Sequence, residues 1–186
     1  TDRRTILILV DRTLYSELES EINRLRDDLI TEGWGVRVTE VDRMEYEEFP
    51  EVRVEDIVDL YYINIRNFLL LNPNLSIESI FLIGKTPKFY SGCYAPDDQE
   101  NHTGAWPADG FFSMKDNIIG KIGAVEKCTQ SDFLRNHYGH NELFFDHNTF
   151  PDKVELMVGS LDLSDLPSFA ESEVELIRRY LDKNHR

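Results

Sequence analysis

Five consecutive apolar residues, Ile6-Leu7-Ile8-Leu9-Val10, stand close to the start of the chain. Successive side chains of a strand point to opposite faces, so an unbroken apolar run needs cover on both sides. Sheets covered in this way are typically parallel, with helices on each face. A second such run is Ile80-Phe81-Leu82-Ile83, and a later strand signal spans Val154 to Val158. Val36, Val38 and Val41 mark a more polar strand, expected nearer a sheet edge. Leu14, Leu18, Ile22, Leu25 and Leu29 follow helical spacing, with Ser16 and Glu19 in the form of a capping box and Gly33 as the stop. Val54, Ile57, Val58, Tyr61, Ile65, Phe68 and Leu69 describe another helix, ended by Asn72-Pro73-Asn74, and Val174, Ile177, Tyr180 and Leu181 a last one. The β-α-β-α-β order predicts a three-layer α/β fold on a parallel sheet with right-handed crossovers.

The 186 residues suit a single α/β domain, residues 1–186, with no repeat or linker to divide it. Its regular rhythm breaks after Gly84. The stretch Lys85 to Lys153 is too long for a plain loop and is expected to be an insert between the third and fourth main strands. Open parallel sheets bind ligands beyond the carboxyl ends of their strands, and the insert leaves from one such end. It is therefore expected to form a site or to cover one. With 35 acidic and 20 basic residues the chain carries a net charge of −15, which disfavours nucleic acid and anionic membrane surfaces. No apolar run approaches the roughly 20 residues that span a bilayer.

Several local patterns imitate reactive sites and fall short. Asp11 follows the first strand, where some phosphatases carry a nucleophile, but Thr13 stands where their second Asp is needed. A helix cap or a loop residue is the expected role of Asp11. Gly84-Lys85-Thr86 matches the end of a phosphate loop, yet Ser79 replaces the upstream glycine and Pro87 would interrupt the helix. The least generic stretch runs from Tyr94 to Phe112 and holds Asp97, Asp98, Glu100, His102, Trp106 and Asp109. A second polar cluster contains His137, His140, Asp146 and His147. Loop carboxylates suit calcium, which makes Asp97, Asp98, Asp109 and Asp146 the candidate metal ligands, and mixed His/Asp sets suit zinc or another transition metal, against a bland role as turn caps and solvated loop histidines. His102, Trp106 and His140 are the candidate ligand surface. Cys93 with a histidine has the elements of a nucleophile–base pair, though a lone thiol beside aromatics is more often simply packed. Whether Cys93 and Cys128 pair stays open.

Pro107-Ala108-Asp109-Gly110-Phe111-Phe112 and Val154-Glu155-Leu156-Met157-Val158-Gly159-Ser160-Leu161, with the order of elements, resemble gingipain-type cysteine peptidases. In that family a "(T/S/A)-D-x-(Y/F)-(Y/F)" stretch closes an insert after the third strand, and a later "V-G-R-(I/L)-P" strand leads into a Glu- and Lys-rich helix. Asp109, Phe111 and Phe112 match the first motif; Val158, Gly159 and Leu161 match the second; Glu171 to Lys183 fits the helix. The chain is more closely similar to uncharacterised secreted bacterial proteins sharing "A-P-D…H-x-G-A-W-P-A-D-G" and "V-E-L-x-V-G". Ser160 departs from the family's arginine. The family's catalytic His and Cys lie on strands beyond its closing helix, so neither His140 nor Cys93 occupies their positions.

The resemblance implies a caspase-like sheet, sharing its βαβαβ start with flavodoxin-like folds, and a chain that is the N-terminal scaffold portion of an exported bacterial peptidase-like protein. On this view no catalytic residue is assigned here. The partner is the remainder of the parent chain, with a protein or peptide ligand, no nucleic acid and no membrane insertion. The alternative is a non-catalytic ligand- or calcium-binding module of a bacterial surface protein.

Overall fold

The apolar run near the start is the inner strand of a four-stranded, all-parallel sheet with the order β2-β1-β3-β4. The strands are β1 (Arg4–Asp11), β2 (Gly35–Val41), β3 (Ser76–Ile83) and β4 (Met157–Leu161). Helix α1 (Arg12–Thr31) links β1 to β2, and helix α2 (Glu173–His185) follows β4. The computed structural model describes residues 4–43, 76–86, 91, 95, 97–104, 106, 108–113 and 153–185. The helix expected over 54–69 lies outside these residues. The chain divides into two units, one of Thr1–Glu45, Asn72–Pro87 and Met157–Arg186, the other of Tyr46–Leu71 and Lys88–Leu156. The sheet and both helices belong to the first unit; Lys88–Leu156 overlaps nearly all of the expected insert.

β1 is buried on both faces, as its composition requires. Ile6, Ile8 and Val10 face α1 and α2, in one cluster with Leu14, Leu18, Ile22, Ile83, Leu161, Ile177 and Leu181. Leu7 and Leu9 alternate to the opposite face, and they are buried as well, beside Ile80 and Leu82 of β3. β1 and β3 keep register from Ile6↔Ser79 to Val10↔Ile83, after a shift between Thr5 and Ile6. β2, at the sheet edge among the described strands as expected, buries only Val41 fully.

Three local expectations are corrected. Helix α1 starts at Arg12, not near Ser16, because Asp11 caps it: Thr13 donates its N–H and its hydroxyl to Asp11 Oδ1 at 2.9 and 2.7 Å. The Ser16–Glu19 pair is interior to the helix. A true capping box sits at α2, where Glu175 N–H donates to Ser172 Oγ and Ser172 N–H donates to Glu175 Oε2 at 2.9 Å. That backbone hydrogen bond, with the Ser172 hydroxyl, holds Glu175 below its ordinary pKa. The fourth strand runs three residues later than Val154–Val158: Val154 is exposed, and the Glu155 and Leu156 N–H groups both donate to the Ser113 carbonyl. Tyr180 is 44% exposed, so α2 packs through Val174, Ile177 and Leu181.

α1 and α2 lie against each other on one face of the sheet, and charged pairs rim their contact. Arg24 bonds Asp182, Arg178 donates to Glu21 and to the Glu17 carbonyl, and His185 Nδ1 lies 2.7 Å from Asp28. Pairs at such a partly exposed rim contribute little each, and Leu18, Ile22 and Ile177 beneath them carry the packing.

Two glycines hold backbone that other residues avoid. Gly33 (φ +98) ends α1 in a Schellman turn, with Trp34 N–H donating to Leu29 O and Gly33 N–H to Ile30 O, both at 3.0 Å. Gly84 (φ +83) follows β3, and a Cβ there would come within 2.6 Å of Asp11 Cβ and 2.7 Å of Leu14 Cδ1. At Gly33 a Cβ meets nothing within 4 Å. Gly33→Ala is therefore expected to cost about 1 kcal/mol, the conformational strain alone. Gly84→Ala is expected to cost at least about 2 kcal/mol, since overlap adds to strain. Urea denaturation of the two variants in parallel checks the difference; equal losses would show that contact with Asp11 and Leu14 is unimportant.

Candidate functional site

In the order β2-β1-β3-β4 the chain first moves to one side of β1 and then returns to the other, so the switch point falls between β1 and β3. Ligand crevices of open parallel sheets form beyond the carboxyl ends of strands at such a point. Here those ends carry Asp11 from β1 and Gly84-Lys85-Thr86 from β3. Arg43 stands just past β2, and Asp162 and Asp165 just past β4.

These groups are tied into ion pairs. Asp11 is fully buried and accepts from Arg43 Nη1 at 2.6 Å through Oδ2, while its Oδ1 caps α1. Arg43 also donates Nη2 to Glu173 Oε2 at 2.9 Å, so one guanidinium joins the end of β1 to the first turn of α2. Burial works to lower the pKa of Arg43, but the hydrogen bonds and charges of Glu173 and Asp11 outweigh it and the net shift is upward. Glu173 is raised above the ordinary glutamate value, first by burial, with Asp11 and Asp162 adding repulsion and Arg43 opposing. Its Oε1 is buried without a hydrogen-bond partner, which fits a carboxylate incompletely compensated for desolvation.

Lys85 Nζ reaches Asp165 Oδ2 at 2.7 Å; the lysine is nearly enclosed while Asp165 is exposed. The Thr86 N–H turns back to the Gly84 carbonyl at 2.9 Å, so it is not presented to an anion as in a phosphate loop. Asp162 Oδ1 accepts from Ser164 N–H and hydroxyl, which fixes the turn after β4. Beyond it a cleft of about 480 Å³ is lined by Leu163, Asp165, Leu166, Pro167, Glu171, Glu173 and Leu176. Glu171 in that wall is held below its ordinary pKa by the hydrogen bond from Arg179. The arrangement fixes a charged rim: the named acids and bases answer one another across the ends of separate elements.

Of the residues the sequence singled out, Asp97 and His102 come together, with His102 Nδ1 2.7 Å from Asp97 Oδ2. Asp97 also accepts from the Gln99 N–H, and the His102 hydrogen bond is the main cause of its lowered pKa. Asp98 occupies a left-handed turn position (φ 61), a conformation that Asp tolerates. Asp109 begins a 3-10 turn, Asp109–Ser113, and its Oδ1 is buried without a partner among the described residues. The Trp106 backbone pairs with Ser91, accepting from its N–H and donating to its Oγ, while the indole Nε1 is buried without a partner among the described residues. Among the described residues no group of three or more His, Cys, Asp or Glu is placed to hold a metal ion. Asp146, His140, Cys93 and Cys128 lie outside the described residues. No described helix is long and apolar enough to cross a membrane. Local sequence patterns gave no sign of the Asp11–Arg43–Glu173 network, because its partners are 32 and 130 residues apart.

Removing the shared cation leaves two enclosed carboxylates facing each other, so Arg43→Ala is expected to cost about 3–5 kcal/mol in chemical denaturation. Replacement without loss of stability would mean that Asp11 and Glu173 find other compensation. A carboxyl raised in the fold gains a proton there before the unfolded chain does. The stability this contributes is complete below the ordinary glutamate value and is lost as pH rises through the raised value. Glu173→Gln lacks the dependence, so its stability relative to the wild type is expected to fall on acidification across that window. Denaturation midpoints at stepped pH check the sign. In the second unit, His102→Ala is expected to move the Asp97 titration upward toward the ordinary carboxylate value, read by NMR. Comparisons of the chain with protein-family models, with curated proteins and with solved structures give no match.

Proposed function

We propose that this chain is the N-terminal scaffold portion of an exported, gingipain-type peptidase-like protein of bacterial origin, whose catalytic His and Cys come from the parent chain beyond α2. The observation that carries the proposal is the state of the C-terminal sheet edge. Asp11, Arg43, Glu173, Lys85 and Asp165 pair with one another there, which suits a rigid support for a site better than a reactive centre. The placement of the motifs agrees with this view. Val158, Gly159 and Leu161 fall on β4, beside the doubly buried β3, and Asp109, Phe111 and Phe112 fall on the 3-10 turn Asp109–Ser113. The partner is then the remainder of the parent chain, and the substrate a protein or peptide.

The test is a peptidase assay on the full-length parent, before and after thiol alkylation. Cleavage abolished by alkylation is the expected result. Absence of thiol-dependent cleavage would remove the peptidase part of the proposal. Combined with a calcium-dependent rise in melting temperature of the purified chain, that outcome would replace it with a calcium-binding module.

A further inference from the structure

We draw no further inference here: the strongest candidate, the cleft between the loop after β4 and helix α2, has its acids Asp165, Glu171 and Glu173 already paired with Lys85, Arg179 and Arg43, and nothing in the structure shows what ligand would fill it.

Discussion

Enclosure of β1 on both faces is the constraint from which the first unit follows. A strand with no polar face cannot lie at the surface of a sheet, and it needs hydrogen-bonded neighbours on both edges. β2 and β3 supply those edges, while α1 and α2 cover the face formed by Ile6, Ile8 and Val10. A parallel sheet with β1 inside then puts the carboxyl ends of all four strands on one side. The charged residues that follow them converge there for that reason.

Asp11 shows how this convergence uses a single side chain twice. One carboxylate oxygen completes the start of α1 and the other meets Arg43, so the end of the central strand, the first helix and the beginning of α2 share one charge balance. Full burial makes any loss of a partner costly, since water cannot take its place. The same tight quarters explain the close approach of Gly84, where a side chain would displace either Asp11 or Leu14.

The parallel core was legible because its signals are local and redundant. The runs 6–10 and 80–83 each announce a doubly covered strand, and the spacing of Leu14, Leu18 and Ile22 announces the face of α1. Helix ends were harder to place. Of the Ser-x-x-Glu pairs at 16–19 and 172–175, only the second caps a helix, because at the first a buried Asp had already begun the helix five residues earlier. The start of β4 slipped for a similar reason: Val154 to Val158 is strand-like in composition, but backbone bonds to Ser113 take up the first residues. Of the candidate site, the Asp97–His102 contact joins residues close in sequence, within reach of inspection. Arg43 and Glu173 are ordinary surface types in the sequence, and only the fold makes them an enclosed pair.

The pairing of β3 with β4 sets a kinetic order. These strands are adjacent in the sheet, yet one ends at Ile83 and the other begins at Met157. β1, α1 and β2 form a short crossover whose contacts lie near in sequence, so they can assemble early. The seam between Ile83 and Leu161 waits for closure of the long intervening segment, and Arg43 cannot meet Glu173 before then. The seam therefore bears on how fast the sheet is completed.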